Sequence, residues 1–210
     1  MIKKMVTLWL LIISNVAFGQ IVINELDSDT PSIDDKEFVE LKSSTPFFSL
    51  NGYVVVFFNG NPTSSTANQS YFAVDLNGLT TDANGIIVIG SNGVSPVPQK
   101  IIADNIIQNG EDAVAIYLGS VSDFPDGTLA TTTNLIDVLI YDTSDPQATA
   151  LMSLFNVFVQ TNENVNSLGT TQSIQRKPDG TYEVKAPTPG ANNDGSGIQF
   201  NGITITTDTA

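Results

Sequence analysis

The 210-residue chain contains no cysteine and no histidine. Without cysteine there is no disulfide staple, no thiol nucleophile, no thiolate metal site and no lipid carried on an N-terminal Cys. The core must therefore hold itself together. Without histidine there is no Ser-His-Asp or Cys-His relay, no imidazole-ligated zinc and no ordinary general base near neutral pH. Basic residues are scarce, 8 Lys and Arg against 22 Asp and Glu, and Arg176 is the only arginine. The formal charge of −14 opposes direct binding of DNA, RNA or anionic membrane, because phosphates are held by clustered Lys and Arg. No Gly-rich loop leads into Lys-Ser or Lys-Thr, so no phosphate cradle is present. The single tryptophan, Trp9, lies close to the N-terminus, which leaves the body of the chain without a common stacking platform for sugars. What remains is carboxylate chemistry.

The N-terminus has the three parts of an export signal in order. Lys3 and Lys4 supply the positive region, Leu8 to Val16 is apolar apart from Ser14 and Asn15, and Ala17-Phe18-Gly19 offers small residues at a cleavage site. Cleavage is expected between Gly19 and Gln20. The apolar stretch is shorter than the roughly 20 residues a spanning helix needs, and no later stretch is longer. The reading is residues 1–19 as a signal peptide and a soluble mature chain that is secreted, periplasmic or on the cell surface. Its six basic and 22 acidic residues then give a net charge of −16.

Strand periodicity runs through the rest. Ile21-Val22-Ile23 opens the first strand, and Phe38 to Lys42 alternates apolar and polar residues. Tyr53 to Phe58 is a continuous β-branched and aromatic run, as expected of a central strand covered on both faces. Tyr71 to Leu76, Ile86 to Ile89, Ala113 to Leu118 and Leu135 to Tyr141 follow. Ser173 to Lys177 and Thr181 to Lys185 form a hairpin around Pro178-Asp179-Gly180. Asn-Gly or Asp-Gly pairs separate most of these runs, for example Asn51-Gly52, Asn77-Gly78 and Asp126-Gly127. Many short strands so punctuated predict a sandwich or barrel. One stretch has helical spacing: Ala148, Leu151, Met152 and Phe155 follow Asp145-Pro146, which suit the N-cap and first helical position. A short helix across one end of the sandwich is expected there. Residues 194–210 read as a linker or tail, or, over Ile198 to Thr207, as an extra edge strand.

In order along the chain, Ile23-Asn24-Glu25, Glu37-Phe38-Val39-Glu40-Leu41, Leu50-Asn51-Gly52-Tyr53, Asn109 to Val114, Ile136-Asp137 with Ile140-Tyr141, Ser173-Ile174-Gln175-Arg176 and Pro187 to Asn192 are motifs whose sequence and spacing resemble the bacterial lamin-tail domain family. The resemblance covers about Ile21 to Asn193. It implies an all-β, immunoglobulin-like β-sandwich over residues 20–193, in a family whose exported bacterial members often accompany surface or secreted hydrolases, including nucleases. Tyr53 stands where the family commonly has Trp, Lys42-Ser43-Ser44 replaces its usual aromatic-Asn pair, and Asn59 to Gly110 is longer than a minimal domain needs.

Two groups of polar residues stand out as candidate sites. Glu25 and Glu40 lie on neighbouring strands and are expected to face each other; a carboxylate pair at the right separation cleaves glycosides. The structural alternative is that the lone Arg176 pairs with Glu25 or Glu40, because a partly buried arginine needs a carboxylate. In the second group, Asp27, Asp29 and Asp34 form the densest acidic loop and are the best candidates for calcium, which takes several oxygen ligands from a flexible loop. The loop lacks the EF-hand pattern, and no other cofactor is indicated. The sequence thus points to an exported binding or scaffolding module that contacts a protein or an envelope component. The rival readings are a calcium- or carbohydrate-dependent adhesion module and a carboxylate-based hydrolase.

Overall fold

The computed structural model describes residues 21–193. The signal-peptide assignment and the reading of residues 194–210 lie outside the described residues. The chain folds as an all-β sandwich of two sheets with one short helix. The strands are β1 (Ile21–Asp27), β2 (Phe38–Ser43), β3 (Tyr53–Asn59), β4 (Ser70–Asp75), β5 (Ile86–Gly90), β6 (Lys100–Ile101), β7 (Asp112–Leu118), β8 (Leu135–Asp142), β9 (Thr161–Asn162), β10 (Ser173–Arg176) and β11 (Tyr182–Lys185). One sheet runs β11-β10-β1-β2-β5-β6 and the other β4-β3-β7-β8-β9.

Alternation decides what each strand buries. Ile21, Ile23, Val39, Leu41, Ile87, Ile89 and Ile174 of the first sheet pack against Val55, Phe57, Val114, Ile116, Leu139 and Tyr141 of the second. A bulge between Ile23 and Glu25 shifts the parity of β1, so that Leu26 also points into this core. The remaining residues of β3, Val54, Val56 and Phe58, face outward, yet they are fully buried. They lie in a second apolar layer with Ala113, Ala115, Tyr117, Phe124, Ala148, Leu151 and Phe155. The continuous apolar run of β3 is thus covered on both faces, as its sequence predicts.

The helix, α1 (Thr149–Phe155), differs from expectation in both start and place. Asp145 is not its N-cap; Ala148 occupies that position without a side-chain cap. The Asp145 carboxylate instead accepts from Thr143 Oγ1 at 3.2 Å, and the Ala148 N–H donates to Gln160 Oε1 at 2.7 Å. Leu151 and Phe155 of the helix pack on the outer face of the second sheet, where they close the second apolar layer, rather than across an end. No helix among the described residues is long and apolar enough to cross a membrane.

Candidate functional site

Glu25 and Glu40 are brought together as register partners on β1 and β2, and both are fully buried. They sit on the outer face of the first sheet, under the closing segment 187–193. Glu25 Oε1 accepts from Ser173 Oγ at 2.6 Å and from the Thr188 N–H at 2.7 Å, while Oε2 accepts from Thr188 Oγ1 at 2.7 Å. Glu40 Oε1 accepts from Asn24 Nδ2 at 2.6 Å and Oε2 from the Gly190 N–H at 2.7 Å. Asn193 completes the clasp, donating to the Asn24 carbonyl at 2.7 Å and the Arg176 carbonyl at 3.1 Å. Burial raises the pKa of both carboxyls, and the Glu25 charge helps push Glu40 up to about 8. Every oxygen of the pair therefore meets a protein donor, and the pair ties the closing segment to the first two strands.

Arg176 pairs with neither glutamate. Its Nη1 lies 3.1 Å from Asp137 Oδ2 and donates to Tyr182 Oη at 2.9 Å, and its guanidinium carbon sits 5.5 Å from the Tyr182 ring centroid. Strand parity explains the correction. Ser173 and Gln175 of β10 point to the Glu25 face, so Ile174 and Arg176 point the other way, toward β8. Asp137 Oδ2 also accepts from the Ile23 N–H at 2.8 Å. Burial raises the Asp137 carboxyl, an effect that the neighbouring Arg176 charge only offsets in part. Asp137 shares its parity with the inward-facing Leu139 and Tyr141; this is the sequence signal that identifies an acid aimed at the core rim.

The acidic loop is more closed than its sequence suggests. Asp27, at the end of β1, is only 5% exposed, and its Oδ1 has no hydrogen-bond partner. Burial pushes its pKa up to about 10, with the charges of Glu163, Glu25, Asp29 and Asp34 adding to the effect. Asp29 and Asp34 are half-buried; Asp34 Oδ1 accepts from the Thr30 N–H at 2.6 Å, and Asn109 Nδ2 lies 3.4 Å from an oxygen of each. Sequence reasoning missed Glu163. Fully buried, it accepts from Ser28 Oγ at 2.5 Å and from the Ser28 N–H at 3.1 Å, and burial holds it at about 8. No periodicity marks it, because it lies in an Asn-rich loop just after the two-residue β9. Among the described residues, no group of three or more Asp or Glu side chains is placed to hold a metal ion.

A groove of about 630 Å³ opens at the sandwich edge between β8, β11 and segment 157–165. Its wall includes Val138, Leu139, Val184, Phe158, Val159 and Val165. Phe158 is 83% exposed, Val159 70% and Val165 63%. β9 pairs with β8 only at Tyr141 and Asp142, so the flank of β8 over 135–140 has no strand neighbour on this side. No protein-family model, curated protein or solved structure matches the chain.

Proposed function

We propose that this protein is an exported binding or scaffolding module of the lamin-tail, immunoglobulin-like type, acting at the cell envelope or outside the cell, and that it contacts a protein partner through the groove beside β8. The single observation that supports this is the three-residue apolar run Val157-Phe158-Val159, with Phe158 and Val159 mostly exposed, set next to an open strand flank. Contiguous exposed apolar surface marks a contact site. An extended partner segment would place alternate side chains in the groove and pair its backbone along β8, where an edge strand offers free N–H and C=O groups. The acidic surface suits a protein partner better than a phosphate-rich one.

The test is capture from envelope extract by the mature domain carrying a photo-crosslinker at position 158. A defined crosslinked partner is expected. Its yield should fall about tenfold or more in Val159→Asp, as for loss of an apolar anchor at an interface centre, with the thermal midpoint unchanged because Val159 is exposed. Capture that persists undiminished in Val159→Asp would remove the groove from the proposal.

A further inference from the structure

We propose that the side chains of Lys42 and Asn192 join in an isopeptide bond, Nζ to Cγ, with the buried carboxyl of Glu40 carrying the protons. The bond would fasten the closing segment 187–193 to β2, in a chain that has no cysteine to staple it. This inference goes beyond the module reading and does not depend on the groove.

Lys42 Nζ donates to Asn192 Oδ1, which sets the amine against the carboxamide it would attack, with Cγ one bond beyond the contact. Lys177 and Lys185 meet the carboxylates of Asp179 and Glu183, the ordinary partners of surface lysines. Lys42 instead meets an amide, on a residue that is only 8% exposed. Val39 and Leu41 point into the core, so Glu40 and Lys42 stand side by side on the outer face of β2. Glu40 Oε2 accepts from the Gly190 N–H, two residues before Asn192, and one carboxyl thus adjoins both reacting stretches. Burial and the Glu25 charge favour its protonated form, and the Lys42 charge acts on it in the opposite sense. On the far side of Asn192, Asn193 Oδ1 accepts from Asn24 Nδ2 at 3.0 Å, and the same Nδ2 donates to Glu40 Oε1. The amide is therefore pinned from both sides against the amine, which makes the attack intramolecular. A cleft of about 210 Å³, with Lys42 and Asn192 in its wall, gives a leaving group its way out.

The step balances without a co-reactant. The Lys42 ammonium releases one proton to solvent, and the neutral Nζ adds to Asn192 Cγ. Glu40 gives its proton to Asn192 Nδ2 and takes one from Nζ, the Cγ–Nδ2 bond breaks, and ammonia leaves. One amide replaces another, and nothing is oxidised or reduced. A carboxyl that serves first as acid and then as base works best when neither form is strongly preferred near neutral pH. The bond would join residues 150 apart in sequence, and so restrain the unfolded chain as a long-loop disulfide does.

The experiment is mass spectrometry of the purified chain, unfolded in denaturant and digested with trypsin. A branched peptide is expected, in which residues 37–100, uncut at Lys42, carry the peptide that begins at Ala186. Its mass should be lower by one ammonia than that of the two peptides together. Lys42→Arg and Asn192→Ala should each abolish the branched peptide and melt several degrees below the parent. Ring closure at Gln20 or at an Asn-Gly pair also releases ammonia, but it leaves the peptides unbranched and persists in both variants. In Glu40→Gln, with its fold checked by circular dichroism, the cross-linked fraction should fall at least about tenfold. An undiminished fraction there would take the proton transfer away from Glu40. Should that variant fail to fold, the parent digest still decides whether the bond exists. A parent digest cut at Lys42, with the two peptides separate, would overturn the bond and leave an ordinary hydrogen bond in its place.

Discussion

Arg176 shows how one side chain ties two sheets together. It is the only arginine of the chain, and Asp137, Tyr182 and, through them, the backbone of Ile23 all converge on it. Removing it leaves Asp137 desolvated and short of its counter-charge. The two side chains keep 24% and 17% of their exposure, so the loss is smaller than for a fully buried pair. Arg176→Met is expected to destabilise the fold by about 1–3 kcal/mol in urea unfolding. Adding Asp137→Asn should recover part of that loss by removing the stranded charge, and a double-mutant cycle reads the coupling directly. An Arg176→Met midpoint equal to the parent's would show that the pair is ornamental. The need of the arginine for a carboxylate was legible in the sequence, but its partner was not. Glu25 and Glu40 are prominent in the motifs, yet the parity of β10 turns Arg176 away from them. Glu163 was hidden for a different reason, since a residue in an irregular loop has no period to betray its burial.

At the level of elements, the closing segment 187–193 has no strand of its own and is held by the two buried glutamates. Gly190 is the tightest point of that clasp. Its φ is +76°, its N–H donates to Glu40, and a Cβ there would stand 2.9 Å from Pro96 Cγ. Gly52 has a similar φ of +81° but open space around it. Both substitutions to alanine carry the strain of the left-handed region, about 1 kcal/mol. Gly190→Ala is expected to add a further loss of about 1–2 kcal/mol and to speed amide exchange at Thr188 and Gly190. Equal melting of the two variants would mean that the clasp contributes nothing to stability. The long strands, by contrast, follow from local pattern: β1 to β5, β7, β8 and the β10–β11 hairpin all lie where alternation and turn residues put them. β6 and β9 escaped because two-residue parallel pairings leave no periodic trace. The late start of α1 depends on Gln160, twelve residues from the Ala148 N–H it accepts from, and no local signal encodes that.

For the molecule as a whole, the excess of acid is not confined to the surface. Burial raises the carboxyls of Glu37 and Asp112 to about 7 and that of Glu40 to about 8, with neighbouring acids adding to each. Their ordinary values are 4.5 for Glu and 3.8 for Asp. Between the two sets of values the folded chain holds protons that the unfolded chain releases, so folding weakens as pH rises. The stabilising contribution is complete below about pH 4, and it is lost as pH passes through 7 to 8, the folded values of these groups. Self-repulsion from a net charge of −14 acts in the same direction. Urea unfolding should therefore give a stability at pH 5 that exceeds the value at pH 8.5 by at least about 2 kcal/mol. Glu40→Gln should flatten the upper part of that slope, because the group that titrates near pH 8 has been replaced by one that does not titrate. The opposite profile, with stability rising from pH 5 to 8.5, would mean that these carboxyls are ionised in the fold and that burial does not govern them. A parallel profile in Glu40→Gln would assign the slope to the remaining acids.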